Sequence, residues 1–116
     1  MNLHHEEAQT GWPDSGATRQ YPRYVFTVPV IIRHWPPQGF KTARGMTVDI
    51  SEGGMAAIMP DSLRVGEIVE VDLPLPVGLL NTLATVKYNA ENRSGFEFVG
   101  LSAQERQQIT LAAQEC

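Results

Sequence analysis

The chain has 116 residues, 42% of them hydrophobic, and a net charge of −4, so it has the size of one domain with a single core. No segment reaches the roughly 18 consecutive apolar residues of a membrane-spanning helix, the N-terminus lacks the pattern of a signal peptide, and the only cysteine, Cys116, cannot form an intrachain disulfide. These features predict a cytoplasmic protein without membrane insertion, and the acidic total argues against a nucleic-acid partner.

The first residues differ in character from the rest of the chain. Residues 1–18 show no hydrophobic periodicity and predict a flexible tail, so the folded domain is expected to occupy residues 19–116. Within the tail, His4–Glu7 offers side chains that bind metals, but adjacent residues in a mobile segment lack the fixed geometry of a metal site. We therefore expect neither a metal nor a cofactor.

The rest of the chain predicts short strands followed by one helix. Alternating or β-branched segments bounded by Gly, Pro and Asn predict six strands at Tyr24–Arg33, Phe40–Ile50, Met55–Met59, Ile68–Leu75, Thr82–Asn89 and Gly95–Val99. Ser102 and Glu105 have the spacing of a capping box, which predicts a C-terminal helix over Ala103–Gln114. Six short strands at this spacing favour an all-β fold, a six-stranded antiparallel β-barrel with the C-terminal helix packed on it.

A basic motif precedes the first predicted strand. Arg19 and Arg23 flank Pro22, which disfavours helical geometry in the residue before it and so predicts an extended or turning segment. The planar guanidinium group donates two hydrogen bonds to the O6 and N7 edge of guanine, and it also clamps phosphate oxygens. No acidic residue occurs between positions 15 and 48. This compact basic region suits a small anion, unless its basic residues serve only to solubilise exposed faces.

A second motif follows the second predicted strand. Asp49 and Ser51 are two residues apart, which places both side chains on one face if the strand geometry continues. An ionised carboxylate accepts from the N1 and N2 donors of guanine, and a serine hydroxyl both donates and accepts. Gly53 and Gly54 permit positive φ and close backbone approach, so their amides are expected to hold an anion. A ligand that combines guanine with phosphate satisfies both motifs.

The two motifs resemble those of a known family. An RxxxR motif at Arg19–Arg23, followed by a DxSxxG motif at Asp49–Gly54, is similar to the PilZ domain, a bacterial receptor for cyclic di-GMP. The segments Thr47–Met55 and Gly95–Val99 are similar to the central stretch and the last strand of that family. The resemblance covers the chain from Arg19 to the C-terminus and implies the PilZ-type barrel.

The resemblance also implies which residues bind the ligand. In the family the two arginines hold guanine edges and phosphates, and the Asp, Ser and Gly grip the guanine and the ribose phosphate. These roles carry over to Arg19 and Arg23 in the first motif and to Asp49, Ser51 and Gly54 in the second. An aromatic residue in the fifth strand often lies against a guanine, and Tyr88 is its counterpart here. Ordinary packing in the barrel is the alternative for Tyr88.

The function that the resemblance implies is a non-enzymatic receptor. Cyclic di-GMP is expected to order the N-terminal arginine segment, and the domain then signals to a downstream effector protein. The first alternative is a PilZ-fold interaction module that binds no nucleotide, which eroded motifs would mark. A barrel that binds single-stranded nucleic acid requires aromatic residues along a basic groove, and a hydrolase requires an activated nucleophile or paired acids. The sequence shows neither pattern.

Overall fold

A computed structural model describes residues 22–59 and 63–115 of the chain. The predicted tail at residues 1–18, Arg19 and Cys116 lie outside these described residues. The described residues form seven strands and one helix: β1 (Tyr24–Val25), β2 (Pro29–His34), β3 (Lys41–Ile50), β4 (Gly54–Ile58), β5 (Ile68–Leu75), β6 (Gly78–Ala90), β7 (Arg93–Val99) and α1 (Ala103–Glu115).

The strands form one antiparallel sheet that closes on itself. Their order is β1-β3-β2-β5-β6-β7-β4, and an additional pairing of β3 with β4 closes the six strands from β2 to β7 into a barrel. The short strand β1 adds to β3 outside the closed ring, with Tyr24 opposite Ile50 and Val25 opposite Asp49. The predicted six-stranded antiparallel barrel is therefore confirmed, with one strand more than the sequence pattern indicates.

The extra strand arises because the first predicted strand, Tyr24–Arg33, is interrupted. At the interruption the backbone N–H of Val28 donates to the hydroxyl of Thr47 at 2.9 Å, and that hydroxyl donates to the carbonyl of Phe26. A side chain thus replaces part of the regular ladder between this segment and β3. The interruption leaves β1 and β2 as separate strands on the same neighbour.

The hairpin between β5 and β6 is longer than predicted. Strand β6 begins at Gly78 rather than Thr82, and Gly78 pairs with Leu75 across a two-residue turn. Gly78 has a φ of 143°, a conformation that L-residues with a side chain rarely adopt. Leu73 and Leu80 are buried while Leu79 is exposed, so the apolar segment Leu73–Leu80 continues the barrel with one face inside.

The barrel interior and the helix form one hydrophobic core. Inward-facing residues of the strands pack with Ile109 and Ala112 of α1, both fully buried. The backbone N–H of Glu105 donates to the Ser102 hydroxyl, and the N–H of Ser102 donates to the Glu105 carboxylate, which confirms the predicted capping box. Within residues 22–59 and 63–115, no helix combines the length and the apolar character needed to span a bilayer.

Candidate ligand-binding face

A row of small and polar residues crosses the outer surface of the barrel. In register across five strands the row contains Val25, Asp49, Ala56, Gly95 and Tyr88. Their strand neighbours Ala57 and Phe96 belong to the core, and side chains alternate along a strand. The row therefore faces away from the barrel interior, and Ala56 and Gly95, which are both buried, place no large side chain between Asp49 and Tyr88.

Two β-bulges bring Asp49 and Tyr88 to this outer face. The register of β3 shifts between Thr47 and Asp49, and that of β6 shifts between Val86 and Tyr88. Thr47 and Val86 are both buried, so regular alternation would also turn the residues two positions later inward. Each bulge inserts one extra residue and reverses the direction of the next side chain. The two functional candidates therefore project from the barrel and do not pack inside it.

Arg23 lies over this face just before β1. Its Nη2 atom donates to Oδ1 of Asp49 at 2.5 Å, and the two side chains are only 8% and 10% exposed. A charged hydrogen bond of this length in a desolvated position is stronger than one between neutral groups. The structure thus brings together one arginine of the first motif and the carboxylate of the second.

Ser51 organises the turn between β3 and β4. Its hydroxyl accepts hydrogen bonds from the N–H groups of Gly53 and Gly54 at 3.0 and 3.2 Å, and its own N–H donates to the Gly54 carbonyl at 2.8 Å. Both glycine amides thus donate to the Ser51 hydroxyl. The sequence motif instead predicts that these amides hold an anion. Neither glycine is among the described glycines with positive φ, so the turn does not use the conformational freedom that the pair permits.

The ring of Tyr88 lies directly on Gly95. A Cβ atom added to Gly95 would come within 2.1 Å of Cε2 of Tyr88, a separation that real Cβ atoms do not show. The absence of a side chain at position 95 is therefore what allows the ring to approach β7 this closely. Tyr88 thus packs on the outside of the barrel, and its contact with a guanine stays a prediction.

The charges around Tyr88 identify a residue that sequence reasoning missed. Partial burial of the phenol is the main cause that raises the pKa of Tyr88, and the negative charge of Asp49 raises it further. The positive charges of Arg93 and Arg23 and a hydrogen bond with Arg93 lower this pKa. Arg93 is the first residue of β7 and therefore shares the outer face with Gly95. The sequence pattern starts that strand at Gly95 and so leaves Arg93 in a turn.

The predicted site residues have different outcomes. Arg23, Asp49 and Tyr88 surround one area of the outer face, and the Ser51–Gly54 turn follows Asp49 directly. Arg19 and the His4–Glu7 run lie outside the described residues. Arg44 is exposed opposite Ile31. Among residues 22–59 and 63–115, no group of three or more His, Cys, Asp or Glu side chains could hold a metal ion.

The family model described as the PilZ domain matches residues 17–113. A comparison with curated protein sequences gives no significant match. Among solved structures, the PilZ domain of CeSA from a cellulose-synthesising bacterium is 23% identical, with a TM-score of 0.64, and the match covers 81% of this chain and 96% of that one. The PilZ domain of YcgR from Escherichia coli, solved with c-di-GMP, is 21% identical with a TM-score of 0.63, and the match covers 84% and 89%.

The inhibitor of motility MotI/DgrA from Bacillus subtilis is 23% identical with a TM-score of 0.64. That match covers 84% of this chain and 49% of the other, so this chain spans about half of MotI. Sequence identities this low show the shared barrel alone, whereas the family model extends over most of the sequence and includes both motifs. The chain belongs to the PilZ domain family.

Proposed function

We propose that this protein is a receptor for cyclic di-GMP that binds the ligand on the outer face around Arg23, Asp49 and Tyr88. The observation that supports the proposal most directly is the 2.5 Å contact between Arg23 and Asp49. It joins the two motifs that the family resemblance assigns to the ligand, at a face flanked by the Ser51–Gly54 turn. The c-di-GMP bound to the YcgR domain of the same fold supports the same class of ligand.

The chemistry of the face matches a guanine with an attached phosphate. The Asp49 carboxylate has two oxygens with about four acceptor positions, so the hydrogen bond to Arg23 leaves acceptor capacity for the N1 and N2 donors of guanine. The guanidinium of Arg23 has five donors, and its outer edge suits O6 and N7 or a phosphate oxygen. The Tyr88 ring offers a surface on which a purine stacks. Ser51 acts indirectly, because its hydroxyl holds the turn that follows Asp49.

The role that we propose for this protein is that of a receptor and not of an enzyme. Its outer face combines the arginines Arg23 and Arg93 with a carboxylate and a phenol, which suit binding and orienting a ligand. The Ser51 hydroxyl accepts from the amides of its own turn. Binding is proposed to order the arginine segment that contains Arg19 on the barrel, and the ordered segment then presents a new surface to an effector protein in the bacterial cytoplasm. The switch is thus a disorder-to-order change coupled to the ligand.

Isothermal titration of the purified chain with cyclic di-GMP, GTP and cyclic di-AMP tests the proposal. Cyclic di-GMP is expected to bind most tightly, and Asp49→Asn is expected to weaken binding about ten- to a hundredfold through the loss of charged hydrogen bonds worth ~1.5–3 kcal/mol. This substitution keeps the side-chain volume. Arg19→Ala tests the other half of the first motif, and Arg44→Ala is the matched control, since this exposed arginine lies away from the face.

The results separate the proposal from its main alternative. Binding of cyclic di-GMP that Asp49→Asn and Arg19→Ala weaken and Arg44→Ala leaves unchanged supports the receptor. An unmodified, folded chain that binds none of the three nucleotides overturns it and favours the interaction module. Circular dichroism on each variant establishes that a loss of binding is not a loss of fold.

A further inference from the structure

A recess lies at the opposite end of β3 from the ligand-binding face. It has a volume of about 450 Å³, and it opens between the β2–β3 loop and the segment that leads into β5. Its walls are formed by His34, Pro36, Pro37, Gln38, Lys41, Thr42, Arg64 and Glu67. Lys41 begins β3 and Asp49 lies near its end, so a rise of roughly 3.3 Å per residue separates the two regions by about 26 Å.

The back of this recess is fixed by a buried polar pair. Nδ1 of His34 lies 3.1 Å from Oε2 of Glu67, and their side chains are 7% and 13% exposed. The other carboxylate oxygen of Glu67 accepts the backbone N–H of Arg64 at 3.0 Å. Both oxygens of the only described carboxylate in the wall are therefore engaged, and the segment that carries Arg64 is held against β2.

Two cationic side chains line the same recess. Within residues 22–59 and 63–115, no carboxylate lies at ion-pair distance from the side chain of Lys41 or Arg64. Lys41 and Arg64 outnumber the one carboxylate in the wall, Glu67, so the charge at this recess is positive, whereas the chain as a whole carries a net charge of −4. A local field of this kind attracts an anionic group and orients it on approach.

An exposed aromatic pair flanks the recess on the β2–β3 loop. The rings of Trp35 and Phe40 have centroids 5.5 Å apart and are tilted by 53°, and each residue is 55% exposed. Trp35 lies between His34 and Pro36, and Phe40 adjoins Lys41, so the pair belongs to the same loop as these wall residues. Aromatic residues such as Trp and Phe are enriched in protein interfaces, and Trp is enriched among the residues that carry most of the binding energy.

We propose that this recess docks an acidic segment of a partner protein, in which a carboxylate lies next to an apolar side chain. The carboxylate binds between Lys41 and Arg64, and the apolar side chain packs on Trp35 and Phe40. A free inorganic anion would use only the two cations and would leave the aromatic pair exposed, whereas a peptide segment covers both. The recess is distinct from the ligand-binding face, so a partner and a nucleotide can occupy the protein together.

Nuclear magnetic resonance of the full chain tests this surface with three probes. The probes are a blocked peptide of alternating aspartate and leucine, the matched peptide of asparagine and leucine, and inorganic phosphate. We expect saturable shifts of the amides at 34, 35, 38–42 and 64–67 and of the Trp35 indole with the acidic peptide only. Lys41→Gln and Trp35→Ala are each expected to weaken this binding about tenfold. Arg44→Gln, an exposed arginine of the same strand, is the matched control.

Absence of binding by the acidic peptide overturns the inference, and so do four further results. Equal binding of the asparagine peptide would mean that the cations play no part, and equal shifts with phosphate would mean a site for anions alone. Equal loss in Arg44→Gln would mean non-specific attraction to basic residues. Cyclic di-GMP titration into Lys41→Gln is expected to match the unmodified chain, and a weakened titration would mean that the two surfaces are not separate. Failure of the unmodified chain to bind cyclic di-GMP leaves the peptide result unaffected.

Discussion

The hydroxyl of Thr110 in helix α1 donates a hydrogen bond to the carboxylate of Glu52, which lies in the turn between Ser51 and Gly53. This bond joins residues 58 positions apart, and it connects the helix to the turn that follows Asp49. A helix that packs in the core through Ile109 therefore also holds a polar part of the candidate site.

Thr110→Val removes this connection without a large change in side-chain volume. We expect the free energy of unfolding to fall by about 0.5–1.5 kcal/mol, because a partly buried hydrogen bond is lost and the Glu52 carboxylate returns to water. Urea denaturation measures the change. Gln104→Ala, at an exposed position of the same helix, is the control and should change stability by less than about 0.5 kcal/mol. A loss in Gln104→Ala as large as that in Thr110→Val would contradict a specific role for the bond.

Gly95→Ala tests the contact between β7 and the ring of Tyr88. The added methyl group would collide with Cε2 of Tyr88, so the ring must leave the surface of β7. We expect a destabilisation of about 1–3 kcal/mol from overpacking and a loss of cyclic di-GMP affinity. Thermal denaturation and isothermal titration give the two quantities. Glu97→Ala, at an exposed position of the same strand, serves as the control.

The double variant Gly95→Ala with Tyr88→Ala separates collision from other effects of the methyl group. Removal of the ring removes the atom that the methyl group would meet, so the two changes should be strongly non-additive in the free energy of unfolding. Additive losses would mean that Gly95→Ala acts through the backbone of β7. In that case the position of the Tyr88 ring would not depend on the glycine.

Sequence patterns predict the barrel and the helix well because their signals are local. Alternating apolar residues mark β5, and Ser102 with Glu105 marks the start of α1. The position of Tyr88 depends instead on a bulge in β6, which has no residue signature in this sequence. Alternation alone counts Tyr88 with Val86 as inward-facing, so the sequence leaves its role open.

The remaining differences from the sequence-based predictions depend on contacts between distant segments. Thr47 interrupts the first predicted strand from 19 residues away in the sequence, through its hydrogen bond to Val28. Arg93 reaches the site because β7 starts two residues earlier than its apolar pattern indicates. Hydrophobic periodicity carries no information about either feature. The motif residues Arg23 and Asp49, by contrast, are recognisable from the sequence and lie in contact.

The raised pKa of Tyr88 predicts a dependence of stability on alkaline pH. Burial raises the pKa of the folded phenol above its ordinary value of 10.0. Below the ordinary value both folded and unfolded chains are protonated at this residue, and the folded state keeps its full stability. As the pH rises above that value, the unfolded chain loses the proton more readily, so folding stability falls. Ultraviolet titration of the tyrosinate signal, compared between the unmodified chain and Tyr88→Phe, isolates this residue. A Tyr88 that titrates at or below its ordinary value would disagree with the packing on Gly95.

A charged network on the outer face of β2, β5 and β6 predicts a dependence on acidic pH. Hydrogen bonds from Asn81, together with Arg33, lower the pKa of Glu70 from 4.5 and that of Asp72 from 3.8. Nδ2 of Asn81 lies 2.8 Å from the Glu70 carboxylate and 2.7 Å from that of Asp72, and Nη2 of Arg33 lies 2.7 Å from Asp72. Because the pKa of each carboxylate is lower in the folded protein than in the unfolded chain, its ionised form stabilises the fold at pH values above the ordinary pKa. That stabilisation is lost as the pH falls through the pKa of the folded state.

Asn81→Ala removes the largest cause of both pKa shifts. We expect it to raise both carboxylate pKa values, measured by NMR titration, and to make stability less dependent on pH below about 4.5, because the difference between folded and unfolded pKa values shrinks. Asn92→Ala, at an exposed position in the β6–β7 turn, is the control, and a shift of Glu70 or Asp72 in that variant equal to the shift in Asn81→Ala would show that the amide at position 81 is not the cause.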